Sequence, residues 1–155
     1  MSSDPVARPK RPSSPGELPW DTANGTPLES TESPKHHILV VDDEHVVLTL
    51  TSRMLRTAGY NALEAPSARH ALSILERGEP AVELVITDVV MPETDGRTLG
   101  RLIAERFPGL PVAYMSAYPV NDVFHRGAPG PNLPFLSKPF SPEALLELVK
   151  AVLVA

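Results

Sequence analysis

From residue 36 onward, short apolar runs alternate with segments whose apolar residues recur at helical spacing. The first run, residues 38–41, is continuously apolar, which is the pattern of a strand that is covered on both faces. We predict strands at residues 38–41, 60–65, 83–87, 111–115 and 135–137. Helical segments follow the first, second, third and fifth of them. Because such an alternation buries strands between helices, it predicts an α/β fold of five βα units around a parallel sheet.

The segment between the fourth and fifth predicted strands is less regular than the others. Residues 119–134 contain four prolines and two glycines, and only a short helix fits, around residues 120–125. Proline and glycine interrupt helices, so we expect a shortened or irregular fourth helix. The last helix is better defined, since Ser141 can cap it and Pro142 suits its first turn.

The N-terminal segment differs in composition from the rest of the chain. Seven of the 18 prolines fall in residues 1–35, together with many Ser, Thr and Glu residues, and the few apolar residues show no period. Such a segment buries too little apolar surface to offset its ordering entropy. We therefore predict a disordered Pro-rich tail at residues 1–35 and one folded domain at residues 36–155.

Composition excludes several classes of function. The net charge of −5 argues against a nucleic-acid-binding surface, and the absence of cysteine excludes disulfides and thiolate zinc sites. No apolar run approaches the roughly 18–20 residues of a membrane span, and the N-terminus lacks the apolar core of a secretory signal. We expect a cytoplasmic protein that contacts neither membrane nor nucleic acid.

Polar side chains follow four of the five predicted strands. The first strand runs into Asp42 and Asp43, the third into Asp88, the fourth into Ser116 and the fifth into Lys138. Each residue alone has an ordinary structural explanation, such as a helix cap or a turn. Ligands of open α/β sheets bind beyond the carboxyl ends of the strands, however, and all of these residues fall at that edge. Their coincidence predicts a functional site.

The charges of this predicted site indicate what it binds. Two carboxylates about 4 Å apart repel by roughly 4 kcal/mol at an effective dielectric constant near 20, so the three aspartates need a cation in addition to Lys138. Oxygen ligands without His or Cys favour Mg²⁺. A metal ion, an ammonium and a hydroxyl suit a phosphoryl group, and an aspartate can itself accept one as an acyl phosphate.

Four motifs, ILVVDDE, LVITDVVMPETDG, VAYMSAY and FLSKPF, lie in this order between residues 38 and 140 and so extend over most of the length of the predicted domain. In this order and spacing, the chain resembles the receiver domain of two-component response regulators, and is most similar to receivers attached to hybrid histidine kinases. The resemblance implies a flavodoxin-like, doubly wound, five-stranded parallel sheet with strand order 2-1-3-4-5. It also implies a signalling function rather than turnover of an external substrate.

The resemblance assigns roles to the acidic residues. Asp88 matches the aspartate that accepts the phosphoryl group. Asp42 and Asp43 match the acidic pair that binds Mg²⁺ together with Asp88, with Asp43 the more direct ligand. The backbone carbonyl of Val90 matches a further metal ligand.

Other positions match the residues that respond to phosphorylation. Ser116 matches the hydroxyl that reaches the phosphoryl group, and Lys138 the ammonium that pairs with it, with a cis peptide bond before Pro139. Phe135 matches the aromatic switch residue, although it lacks a tyrosine hydroxyl. Val90 and Tyr118 flank the expected path of the attacking water, and their bulk is expected to slow hydrolysis of the acyl phosphate.

The resemblance implies a sensor histidine kinase or a histidine phosphotransfer protein as phosphoryl donor, and a downstream target protein as a further partner. Nothing follows residue 155, so we expect no attached output domain. A pseudo-receiver, which binds partners without phosphorylation, is the alternative. A P-loop NTPase is disfavoured because no glycine is followed by lysine, and an aspartyl phosphatase because its D-x-D arrangement is missing. The sequence does not choose among target binding, phosphate relay and phosphate sink.

Overall fold

The computed structural model describes residues 36–119 and 134–154. The predicted tail at residues 1–35 and the predicted short helix around residues 120–125 lie outside the described residues. Within the described residues, no helix is both long enough and apolar enough to cross a membrane.

Five strands and four helices alternate along this part of the chain. The strands are β1 (His37–Val41), β2 (Asn61–Ala65), β3 (Leu84–Asp88), β4 (Val112–Ser116) and β5 (Phe135–Ser137). The helices are α1 (His45–Thr57), α2 (Ala68–Arg77), α3 (Gly96–Arg106) and α4 (Pro142–Val154). The predicted cap of the last helix is confirmed, because the Ser141 hydroxyl accepts a hydrogen bond from the Ala144 N–H.

The strands form one parallel sheet in the order β2-β1-β3-β4-β5, which confirms the predicted fold class and strand order. Individual strand bounds differ from the prediction by a residue. Tyr60, Glu83 and Pro111 were expected inside strands but precede β2, β3 and β4. Pro111 has no N–H and adds only its carbonyl to the ladder, where it accepts from the Val85 N–H at 3.0 Å.

Two apolar layers hold the helices against opposite faces of the sheet. Alternate residues of β1 illustrate the division, since Ile38 and Val40 belong to one layer and Leu39 and Val41 to the other. The first layer also contains apolar residues of α1 and α4, namely Leu48, Leu55, Leu145 and Val149. The second contains residues of α2 and α3, namely Ala68, Ala71, Leu75, Leu99 and Ile103. With every strand parallel, all the carboxyl ends meet at one edge.

Candidate functional site

The end of β1 supplies one buried carboxylate and one exposed carboxylate. Asp42 is fully buried, and its N–H donates to the carbonyl of Ala65 at the end of β2 at 3.1 Å. Its Oδ1 accepts a hydrogen bond of 2.8 Å from the Glu44 N–H, directly before α1 begins. Asp43 is exposed. Strand pairing and this turn therefore fix the position of Asp42 while Asp43 faces solvent.

Asp88, the last residue of β3, completes a cluster of three carboxylates. Only 6% of Asp88 is exposed. Asp42, Asp43 and Asp88 each offer an oxygen, and these atoms lie within 4.8 Å of one another. The sequence predicted that the three side chains share one edge of the sheet, and the structure brings them together there.

Lys138 lies in the middle of this negative charge. Its Nζ is 2.8 Å from Asp42 Oδ2 and 3.2 Å from Asp88 Oδ1. A further carboxylate near Lys138 belongs to Glu44, a residue to which the sequence assigned no role. Its Oε1 is 3.7 Å from Lys138 Nζ. The Lys138 N–H donates to the carbonyl of Ser116. This hydrogen bond continues the pairing of β4 with β5 and fixes the backbone position from which the Lys138 side chain extends. The expected cis peptide bond between Lys138 and Pro139 is present.

The pKa values in the cluster follow from burial and from the presence of three carboxylates but only one ammonium. Burial raises the pKa of Asp88 to about 6, with a further rise from the negative charge of Asp42 that Lys138 only partly opposes. Burial alone would lower the pKa of Lys138, but its hydrogen bond to Asp42 and the charges of Asp88 and Asp42 raise that pKa above its usual value. The lysine is therefore a fixed cation, and its charge only partly offsets the effects that disfavour ionisation of Asp88.

Ser116 lies beside this cluster, while Phe135 lies farther along the sheet. Ser116 is the last residue of β4 and is buried, and its Oγ accepts a hydrogen bond of 3.0 Å from the Tyr118 N–H. Phe135 opens β5, where it pairs with Tyr114, and it is half-buried. Val90 and Tyr118 are 52% and 55% exposed. The role of the Val90 carbonyl stays a prediction.

Gly96 supports the site through a close approach that the sequence did not reveal. A Cβ atom on Gly96 would lie 2.2 Å from the carbonyl oxygen of Asp88. The Gly96 N–H donates to the Val89 carbonyl at 2.7 Å, and the side chain of Asp95 caps α3 by accepting from the Thr98 N–H. The motif shows that a glycine follows Asp95. It does not show which backbone segment packs against that glycine, because this contact forms only in the tertiary structure.

The ligand atoms of the cluster fit a hard divalent cation. Its three side chains offer carboxylate oxygens only, and two of the three residues are buried. Mg²⁺ prefers oxygen ligands and is commonly held by one or two carboxylates together with water. The exposed Asp43 leaves a solvent-facing side through which water and a phosphoryl group could reach the cluster.

The fold and the cluster define a class of protein, a doubly wound parallel α/β domain with an acidic site at the carboxyl edge of its sheet. The family model of the response regulator receiver domain matches residues 38–150. The chain therefore belongs to the receiver domain family of two-component systems, as its motifs predicted. Members of this family are signalling modules.

Curated relatives support the same assignment. The sensor kinase CckA of Brucella abortus is 39% identical over 117 residues, which cover 75% of this chain and 12% of that protein. The response regulator protein FleR of Pseudomonas aeruginosa is 39% identical over 116 residues, covering 72% of this chain and 23% of FleR. This chain thus spans less than a quarter of either relative.

Solved structures of receivers superpose on most of the chain. A receiver domain from the hybrid histidine kinase CckA gives a TM-score of 0.62 at 34% identity, covering 76% of this chain and 98% of that one. The chemotaxis protein CheY4 of Vibrio cholerae gives 0.69 at 25% identity, covering 77% and 99%. The similarity to a hybrid-kinase receiver agrees with the sequence motifs.

Proposed function

We propose that this receiver accepts a phosphoryl group on Asp88 in the presence of Mg²⁺ and thereby switches a protein-interaction surface. One observation carries the proposal. Three carboxylates converge within 4.8 Å at the carboxyl edge of the sheet, and the Lys138 ammonium lies 3.2 Å from Asp88. A carboxylate beside a cation site and a fixed ammonium has the surroundings that a phosphoryl group needs.

The metal site of this proposal consists of Asp42, Asp43, Asp88 and the backbone carbonyl of Val90. When bound there, Mg²⁺ supplies the positive charge that offsets the carboxylates and the incoming phosphoryl oxygens. The site without it carries three carboxylates and one ammonium, hence a net charge of −2. That excess repels an anionic donor, so phosphorylation should require the divalent cation.

The chemistry of transfer rests on Asp88 as nucleophile. Its pKa of about 6 leaves the carboxyl ionised near neutral pH, so that an oxygen lone pair is available. A carboxylate oxygen attacks phosphorus, the bond from phosphorus to the donor's histidine nitrogen breaks, and the electron pair returns to the imidazole. Lys138, already next to Asp88, pairs with a phosphoryl oxygen, and the Ser116 hydroxyl donates to another after leaving the Tyr118 N–H.

The movement of the Ser116 side chain toward the phosphoryl group connects the site to a surface. Phe135 lies two pairs before Ser116 and Ser137 in the register of β4 and β5, so it is on the same face of the sheet. It also borders an apolar cleft of about 630 Å³ whose other lining residues are Gly109, Pro111, Pro134, Leu148, Ala151 and Val152. A turn of the Phe135 ring as Ser116 shifts would therefore change the cleft beside β5 and α4, a packing change biased by local charge.

The proposed donors are a sensor histidine kinase or a histidine phosphotransfer protein. Support comes from the relatives, since one is named a sensor kinase and one of the similar solved structures is the receiver of a hybrid histidine kinase. A downstream target protein is proposed as the reader of the switched surface. Cytoplasmic location stays a prediction from the sequence.

Phosphotransfer from radiolabelled histidine donors tests this function. A panel of phosphorylated histidine kinases and phosphotransfer proteins is incubated with the wild-type chain and with Asp88→Ala, in Mg²⁺ and in EDTA. We expect label on the wild type in Mg²⁺ from at least one donor, and none on Asp88→Ala. A folded wild type that takes no label from any donor or from acetyl phosphate would instead indicate a pseudo-receiver.

A further inference from the structure

Helix α3 approaches the site through two glycines, only one of which contacts the Asp88 loop. Gly96 and Gly100 are four residues apart and so share one face of α3. A Cβ atom on Gly100 would lie 1.9 Å from the hydroxyl oxygen of Tyr114 and 3.0 Å from the ring carbon that bears it. The same face of α3 therefore lies against the Asp88 backbone at one point and against the tip of a β4 side chain at the other.

Tyr114 lies between this helix and the switch residues. It is 6% exposed and shares a face of β4 with Ser116, two residues on. Its neighbour across the ladder is Phe135. Phe135 and Val112 pack against the buried cluster that Val89 and Tyr114 form. Tyr114 thus fills the interior on the side toward which the Phe135 ring would turn.

We propose that Tyr114 is a positioning residue of the phosphorylation switch, whose hydroxyl, seated on Gly100 of α3, limits the space into which Phe135 can turn. This inference rests on the proposed function. Protein interiors are close-packed, so a ring can turn inward only if its neighbours give way. The Tyr114 ring cannot move toward α3, because the backbone at Gly100 already touches its tip.

The size of the side chains at positions 114 and 100 should consequently set how far the switch proceeds. Tyr114→Phe removes the hydroxyl and opens a small space against Gly100, into which the ring at position 114 can retreat. Gly100→Ala in the Tyr114→Phe background fills that space again, with a contact of about 3.0 Å that needs only a small shift of the ring. Gly100→Ala alone would collide with the hydroxyl and can fail to fold, so the test uses the other two variants.

The experiment is a titration of the wild type, Tyr114→Phe and Tyr114→Phe/Gly100→Ala with beryllofluoride and Mg²⁺, followed by amide NMR. We expect the saturating shift of the Phe135 amide signal to be larger in Tyr114→Phe than in wild type and to return toward the wild-type value in the double variant. Tyr60→Phe, which removes a hydroxyl from a residue just before β2, should leave the shift unchanged.

A purely structural role for Tyr114 would change the unfolding free energies of the variants but leave the beryllofluoride-dependent shift of Phe135 equal in all three. That result, with Ser116 responding normally, would overturn the inference and leave the proposed function standing. If the Ser116 and Asp88 signals of the wild type failed to respond to beryllofluoride at all, the proposed function would fall, and the inference with it.

Discussion

The raised pKa of Asp88 makes the stability of the metal-free protein depend on pH. Its pKa is about 6 in the folded protein, above the ordinary value of 3.8 for an aspartate, so the folded state binds the proton more tightly than the unfolded state does. Protonation therefore stabilises the fold. This contribution is complete below the unfolded pKa and is lost as the pH rises through about 6.

Replacing Asp88 with Asn should remove this loss of stability with rising pH. In Mg²⁺-free buffer we expect the free energy of unfolding of Asp88→Asn, relative to wild type, to increase by at most about 3 kcal/mol between about pH 4 and pH 7.5. Urea denaturation at several pH values measures it. Asp95→Asn is the control of opposite sign: burial raises the pKa of Asp95, but its hydrogen bonds with Thr98 and Arg97 lower it more. A relative stability of Asp88→Asn that does not change with pH would contradict the assignment.

The exposed ring of Tyr118 should protect the acyl phosphate from water. Tyr118 follows Ser116 by two residues, and its N–H donates a hydrogen bond to the Ser116 hydroxyl. We expect Tyr118→Ala, which keeps this N–H, to lose phosphate several-fold faster than wild type, as timed by intact mass after removal of the phosphoryl donor. Tyr60→Ala, at the opposite edge of the sheet, is the control. An unchanged lifetime in Tyr118→Ala would show that this ring does not restrict water.

At the scale of elements, the start of α3 is held tightly against the end of β3. A methyl group on Gly96 would collide with the Asp88 carbonyl, which is backbone and cannot rotate away. We expect Gly96→Ala to reduce the free energy of unfolding by about 1–3 kcal/mol and to slow phosphorylation by acetyl phosphate. Arg101→Ala, on the exposed side of α3, should do neither. Wild-type phosphorylation in Gly96→Ala would mean that the Asp88 loop tolerates displacement of α3.

Helix α1 carries a buried hydroxyl that should reduce stability. Ser52 is fully buried, and its Oγ has no hydrogen-bond partner among the described residues. An unsatisfied buried polar group costs about 1–3 kcal/mol, so we expect Ser52→Ala to raise the free energy of unfolding by roughly 1 kcal/mol or more. Ser73→Ala, at an exposed position of α2, corrects for the higher helix propensity of alanine. Equal effects of the two substitutions in urea denaturation would contradict the prediction.

The sequence predicted the elements better than the contacts between them. Runs such as residues 38–41 and 135–137 are apolar enough to mark strands, and Ser141 marks the start of the last helix through its capping hydroxyl. Close contacts between elements leave no such pattern. The positions of Gly100 and Tyr114 are 14 residues apart in sequence, and only the packing of α3 on β4 brings them together.

At the scale of the whole molecule, the parallel sheet explains why the site could be predicted in outline. Residues at separate strand ends converge whenever the strands run in one direction, so Asp42, Asp88 and Lys138 could be placed at one edge from their positions after apolar runs. The distances between these side chains and their pairings could not be predicted from the sequence. That Lys138 lies between Asp42 and Asp88, with Glu44 nearby, depends on the turn after Asp42 and on the pairing of β4 with β5.

The central claim is that the converging carboxylates form a cation site next to a phosphoryl-accepting aspartate. Intact mass spectrometry after treatment with acetyl phosphate tests it most directly, using wild type, Asp88→Asn and Asp43→Asn with Mg²⁺ or with EDTA. We expect the added mass of one phosphoryl group on wild type in Mg²⁺, none in EDTA or on Asp88→Asn, and much less on Asp43→Asn. Phosphorylation that persists in EDTA or on Asp88→Asn, or none on folded wild type in Mg²⁺, would contradict it.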